Sequence, residues 1–477
     1  MLKEYKQVKV SSLNSGLIID LFEIFKFGSI LKQVGIVKQK GHTIIELMLL
    51  FMFMILENKK SLYFGLKFNN ISKFKTPIND MLNNSNYKWR KLLYKVALRF
   101  IKLSDTSCEN DNCIIFDDTS KVKTGKKTEY ISWFHDHCLS KYFKGFQNIT
   151  EVWSNGVSAV VLDFELKIGK KKVKKSKRPR YHKGTHTEQR NRFSKEKKTQ
   201  IIIKMIKRTI QRKIPFKYVL WDSWFNNNTS YNFVFERLVP LGITLVSMLK
   251  NGSQKYKFNG QYYDLKTLNK IAGKWFCDRK SGIKHKSIIV EVLDTSSSRK
   301  INERRVIDKI KICFFKYPNV KRWKAILTTD LRLSEIEVLK IYMRRWSIEC
   351  VFKEMKQYFG YNQSHSSKYS AMIADLTIRY VFYNMLCYKK QQKPYPSMEQ
   401  LLIEFYEELE EASLTIFINT IFTQKVKDFI DYSIAYGYTN LTELRKDVDI
   451  IIRKFFENEE IIDKITEVDI QYNGRIA

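Results

Sequence analysis

Two short apolar runs, each closed by aspartate, constrain the fold of this chain more than any other feature. Residues Asn112–Thr119 contain CIIF and then deliver Asp117 and Asp118. Phe216–Trp221 runs into Asp222. An apolar run of this length bounded by polar residues has the pattern of a buried strand, and a carboxylate at its end lies at a sheet edge. Around these runs the periodicity alternates. Gln147–Trp153 and Val157–Leu166 read as strands joined by a turn at Ser154-Asn155-Gly156. Residues 195–212 set Ile202, Met205, Ile206 and Ile210 on one side of a helix. Phe233–Leu241 reads as another helix and Ile243–Leu249 as another strand. Three strands, helix, strand, helix, strand is the order of an α/β fold.

That order is the skeleton of a ribonuclease-H-like core. The segment from about 251 to 325 interrupts it. Ser287–Leu293, Ile310–Phe315 and Lys324–Thr329 are its candidate strands, with a polar loop at Ser296–Arg299. Residues 1–105 read as mostly helical. Leu92, Val96 and Phe100, with Leu93, Ala97 and Ile101, repeat at helical spacing there. After Tyr369, Ile373–Cys387 reads as an amphipathic helix, and the tail from Pro394 carries acidic helices. The expected division is a helical N-terminal region at 1–105, the first part of the core at 106–250 and a β-rich insertion at 251–325. The second part of the core follows at 326–390 and a helical C-terminal region at 391–477.

Charge narrows the partner. The chain has 477 residues and a formal charge of +36, from 85 Lys and Arg against 49 Asp and Glu. Such a field favours polyanions, of which nucleic acid is the commonest large one. Lys167–Lys198 holds fifteen Lys or Arg and two Glu in 32 residues, without apolar periodicity. It reads as a mobile or extended loop whose cations meet phosphates, releasing counterions. A membrane is the rival partner, but no apolar run reaches the roughly 18 residues of a spanning helix. Leu47–Leu56, ten residues, reads as a buried helix. The seven cysteines are scattered with no Cys-x-x-Cys pair, which fits a reducing cytoplasm. His135/His137 and His182/His186 lack a third ligand of matching spacing.

Ile341–Gly360, IYMRRWSIECVFKEMKQYFG, reads as one helix with a chemical stripe. At about 100° per residue, Tyr342, Arg345, Glu349 and Lys356 share an arc of about 60°. Ile341, Ile348, Val351, Phe352, Met355 and Phe359 fill the neighbouring arc. One arc can be buried while the other lines a cleft. Three carboxylates then hold comparable places: Asp117 and Asp222 at strand ends and Glu349 on a helix. They are separated by 105 and 127 residues. Oxygen-only ligands suit Mg²⁺ or Mn²⁺, and three gathered acids repel one another without a cation.

Tyr, two residues, Arg, three residues, Glu, six residues, Lys resembles the YREK signature of the hairpin-forming DDE transposases typified by insertion sequence four. Trp346, Ile348 and Phe352 fit the surrounding words. The resemblance covers roughly 110–365. It implies that Asp117, in Asp-Asp-Thr-Ser, is the first catalytic and metal-binding acid, with Asp118 the alternative. It implies that Asp222, in Asp-x-x-Phe, is the second and Glu349 the third. Tyr342, Arg345 and Lys356 then contact DNA phosphates near the cleaved end. Trp323, one residue offset from the family's Trp, is the candidate for stacking on a flipped base. The same resemblance implies two Mg²⁺ ions, terminal inverted repeats and target DNA as partners, and a homodimer on paired ends in a bacterial cytoplasm. Cut-and-paste transposition through a hairpin is the expected activity. A catalytically inactive DNA-binding derivative and a ribonuclease-H-like nuclease or resolvase are the alternatives.

Overall fold

Among the described residues, twelve strands join in one mixed sheet with helices packed against it. The computed structural model describes residues 16–38, 40–56, 74–104, 111–136, 140–294, 301–364, 366–392 and 397–404. His137, the loop Ser296–Arg299 and nearly all of the acidic tail lie outside them. Five helices come first: α1 (Gly16–Ile24), α2 (Phe27–Val34), α3 (Ile44–Leu56), α4 (Lys75–Asn83) and α5 (Trp89–Leu103). In α5 both expected apolar rows are buried, and the helix packs on the sheet. Helix α3 buries Leu47–Ile55, and no helix among the described residues is long and apolar enough to cross a membrane.

The sheet begins with β1 (Cys113–Val122), β2 (Ser132–Asp136), β3 (Lys141–Ser154) and β4 (Ala159–Lys167). Two helices, α6 (His186–Phe193) and α7 (Lys198–Gln211), lead to β5 (Tyr218–Trp221). Helix α8 (Asn228–Phe233) continues into π and 3₁₀ turns before β6 (Thr244–Leu249). The central order is β4-β3-β1-β5-β6. Strand β3 is antiparallel to β1 and β4, whereas β5 and β6 run parallel to β1. Parallel neighbours need crossovers, and α7 and α8 supply them.

The 251–325 segment does not form a separate layer. It contributes β7 (Lys255–Phe258), β8 (Gln261–Asp264), α9 (Leu265–Ile271), β9 (Phe276–Cys277), β10 (Lys284–Leu293) and β11 (Val306–Lys316). Strand β12 (Lys324–Thr328) pairs with both β6 and β11, so these strands extend the same sheet.

Three expectations change. The basic tract is pinned rather than loose. The carbonyls of Lys171 and Lys177 accept from the backbone N–H groups of Trp133 and Tyr130, Val173 N donates to Ile131 O, Val173 and Ser176 are buried, and α6 forms within the tract. Helix α6 shows no apolar periodicity because it buries Arg190 and Asn191. The presumed amphipathic helix is α12 (Tyr369–Gln392), buried on every side from Tyr369 to Cys387. Its polar groups find partners inside. Asn384 accepts from Val161 N and donates to Val161 O, both at 2.8 Å, and so covers the outer edge of β4. Asp375 receives Arg379 one turn away at 3.0 Å. The stretch 341–360 is two helices, α10 (Glu335–Met343) and α11 (Trp346–Gln357). Between them Arg345 N bonds to Tyr342 O and Ser347 N to Arg344 O, the tighter i to i−3 pattern that breaks an α-helix without Gly or Pro.

Candidate active site

Strand β5 is only four residues long, and this brevity makes the site. Its register with β1 pairs Phe116 with Trp221, and there the parallel pairing stops. Asp117 and Asp222 are the next residues on adjacent strands, which lie about 4.8 Å apart. Strand β1 does not end at the acids as its sequence pattern suggested. It runs on to Val122 against β3 alone. Asp117 therefore sits on a flank that β5 has vacated.

The strand's alternation separates the two neighbouring acids. Asp117 Oδ2 accepts from Arg345 Nη1 at 3.0 Å. Asp118 pairs instead with Lys198, the first residue of α7, at 3.0 Å. Asp222 accepts from the backbone N–H of Ser223 at 2.6 Å, capping the short turn Ser223–Phe225. Capping fixes its direction and leaves carboxylate acceptor capacity unused.

The break between α10 and α11 brings in the third acid. Arg345 sits at the start of α11, and its Nη2 donates to Glu349 Oε1 while Nη1 holds Asp117. One guanidinium thus bridges acids 232 residues apart in the chain. Arg344 points elsewhere and ties the break to Asp111. Tyr342, in the last turn of α10, is buried, and the Arg345 guanidinium carbon lies 5.8 Å from its ring centre. Its hydroxyl has no hydrogen-bond partner among the described residues. Lys356 lies exposed in the last turn of α11, two turns beyond Glu349.

The electrostatics follow from this crowding. Burial, joined by the like charges of Asp118 and Asp222, pushes the Asp117 carboxyl up to about 6, although its own backbone contact and Arg345 pull the other way. Burial pushes the Tyr342 phenol up to about 12, with Arg345 opposing and Asp222 adding to the rise. Asp117, Asp222, Tyr342 and Arg345 therefore lie within electrostatic reach of one another.

The donor set suits a hard divalent cation: carboxylate oxygens and a phenol, with no sulfur or imidazole. Among the described residues, however, no three His, Cys, Asp or Glu side chains close up as a ligand group. Arg345 occupies the gap and supplies the positive charge.

Trp323 precedes β12, which runs antiparallel to β6, so it lies at the same sheet edge as the acids. Two strand spacings, about 10 Å, separate β12 from β5. Its ring packs edge-on against Phe314 at 5.4 Å. The sequence reading passed over three neighbours of the acids. Lys198 balances Asp118, and Trp224, two residues after Asp222, is 62% exposed with Lys250 Nζ 5.5 Å from its ring centre. An exposed tryptophan stacked under a lysine beside an acid is the signal for a polyanion surface, but Lys250 joins it only through the β5–β6 pairing.

Residues 76–257 match the family described as DDE superfamily endonuclease. The match takes in Asp117 and Asp222 and ends before Glu349. No curated protein matches the chain. Among solved structures the chain is similar to the NurA nuclease from Sulfolobus solfataricus, at 12% identity over 59% of this chain and 85% of that one. The TM-score is 0.24, too low to carry an argument about fold or activity. The family match supports a DDE-type nuclease relationship, and with it DNA cleavage, for the part of the chain that holds the two aspartates.

Proposed function

We propose that this protein is a DDE transposase that cuts at terminal inverted repeats and joins the freed ends to target DNA. One observation carries the reading: Asp117 and Asp222 stand side by side where β5 ends, and Glu349 reaches the same Arg345 that holds Asp117. The order β4-β3-β1-β5-β6, with only β3 reversed among the inner strands, supports the ribonuclease-H-like description of the core.

In this reading Asp117, Asp222 and Glu349 would hold two Mg²⁺ ions, with Mn²⁺ able to substitute. Bound divalent ions supply Lewis acidity to the attacking and leaving oxygens of an in-line displacement at phosphorus. Water attacks first and releases a 3′-hydroxyl. That hydroxyl attacks the phosphodiester of the opposite strand, expelling the flanking strand's 3′-oxygen and closing a hairpin; a second water reopens the hairpin, and the regenerated 3′-hydroxyl attacks target DNA. The chain's own side chains position the polynucleotide. Arg345 leaves the acids for a phosphate, the unpartnered Tyr342 hydroxyl donates to a second oxygen, and Lys356 holds the strand two turns along. Trp323 stands at the edge where an unstacked base can be met. Two ends must be held together, so the working form is a homodimer, with the N-terminal helical region binding the repeats and the C-terminal region joining subunits.

The test uses purified protein, Mg²⁺ and duplexes carrying the repeats that flank the reading frame. Glu349→Gln and Asp222→Asn are each expected to lower strand cleavage by at least about 10²-fold, the scale of losing a group that stabilises transition-state charge. Undiminished cleavage by either protein rejects the assignment.

A further inference from the structure

We infer that a basic cavity beside α5, α6 and α7 seats a backbone phosphate of the bound DNA, at a distance from the acid cluster. The inference rests on the DNA-cleaving function proposed above. The cavity has a volume of about 480 Å³ and shares no lining residue with the acid site. Eight Lys or Arg side chains line it, and no Asp or Glu among the described residues does.

The charges beneath it are already spent. Asp163 accepts from Arg90 at 2.9 Å and from Arg208 at 2.6 Å. Glu165 takes Arg90 as well and has Arg190 Nε at 3.5 Å. Two carboxylates thus face three guanidiniums. Lys91, Lys207 and Arg212 add charge with no carboxylate partner among the described residues. Arg212 rests on the Tyr94 ring at 4.0 Å, which holds the cation without neutralising it.

Two buried donors point to an acceptor. Arg190, 3% exposed, leaves its Nη1 without a hydrogen-bond partner, and so does the indole N–H of Trp89. Both residues line the cavity. A buried N–H with nothing to donate to is costly, so the site is built for a group rich in acceptor oxygens. The local field is positive enough to be felt by His186: burial first, then Lys88, Arg90 and Lys91, hold its imidazole below the usual range.

The experiment compares the full-length wild type with Lys91→Gln/Lys207→Gln, two exposed positions. Fluorescence anisotropy of a short labelled duplex is measured against KCl concentration, for two unrelated sequences. Loss of one phosphate contact is expected to reduce the slope of log K against log salt by about one, equally for both sequences. The same charge change at Lys266→Gln/Lys270→Gln, on α9, is expected to leave the slope in place. If the wild type binds DNA and the cavity variant keeps its slope, or loses no more than the α9 variant, the inference is overturned and the proposed function stands. If the wild type binds no DNA, both fall. Stabilisation of the wild type by inorganic phosphate that depends on Lys91 and Lys207, with an unchanged DNA slope, makes the cavity a small-anion site and overturns its assignment to DNA.

Discussion

Asp117 carries a charge at neutral pH that its surroundings only partly support. Its carboxyl titrates near 6, against about 3.8 in an unfolded chain. A carboxyl whose folded value is raised favours the protonated state. Its contribution to stability is fully present below about pH 4 and is lost as pH rises through 6. Asparagine keeps an oxygen for Arg345 and removes the charge. Asp117→Asn is therefore expected to be more stable than the wild type by about 1–3 kcal/mol at pH 8, with the gain gone by pH 4, as read from urea unfolding at both values. Mg²⁺ or Mn²⁺ should raise the melting temperature of the wild type and not of this variant. A gain that persists unchanged at pH 4 would mean that the site is not strained by charge. How much of this was legible depends on the residue. Two adjacent aspartates on a strand must face opposite ways, so the rule offers one acid per face. It does not say which. The choice became visible only when Arg345 met one face and Lys198 the other, both brought there by distant segments.

At the scale of elements, local pattern located the strands and failed at the helix break. Short apolar runs bounded by polar residues mark buried strands, so β1, β3, β4, β5, β6, β10, β11 and β12 fall where the periodicity put them. The break at Arg344-Arg345 has no such mark, because both are good helix formers. It is imposed by tertiary ties: Arg344 to Asp111, and Arg345 to Asp117. Tyr342, Arg345 and Glu349 of the expected stripe remain neighbours across the tight turn, and Lys356 lies two turns beyond Glu349. Helix α10 is fixed from its other end by a capping box, in which Ser334 Oγ accepts from Glu337 N and Glu337 accepts from Ser334 N. Beyond the far end of α11 comes Gly360, whose φ of +56° suits glycine and where a Cβ would come within 2.9 Å of Arg379 Nη1. Ser334→Ala is expected to cost about 1 kcal/mol in global stability. Because α10 carries Tyr342, it should also weaken DNA binding without altering the Asp117–Arg345 pair. Denaturant midpoints and anisotropy titrations check both. A variant as stable as the wild type would show that packing of Val338, Leu339 and Ile341 alone sets the helix.

Across the whole molecule, positive charge does two separate tasks, and salt should distinguish them. Surplus Lys and Arg at the surface draw a polyanion, an attraction that falls within a Debye length of about 10 Å at 0.1 M salt. A buried set instead knots the fold. Arg90 from the N-terminal helices, Arg190 from the basic tract and Arg208 from α7 converge on Asp163 and Glu165 of β4. Burial alone would raise the Asp163 carboxyl, but Arg90, Arg208 and Arg190 outweigh it and hold it below the usual carboxylate range. Beside it, Glu151 accepts from Tyr94 and Thr209, and burial together with the charge of Asp163 pushes it up to about 7. Composition announced the charge but could not show this division, since a paired buried arginine and a free surface one count alike. Asp163→Asn takes the anion from Arg208 and one of the two anions from Arg90. The expected cost is about 3–5 kcal/mol in unfolding free energy, the range for breaking a buried pair from one side. Raising KCl from 0.1 to 0.5 M should barely change that cost, because buried charges are poorly screened, while the DNA affinity of the wild type falls steeply over the same interval. Unfolding measured at both salt concentrations decides the point: a penalty that shrinks with salt in step with DNA affinity would place Asp163 among the surface charges and undo the distinction between knot and field.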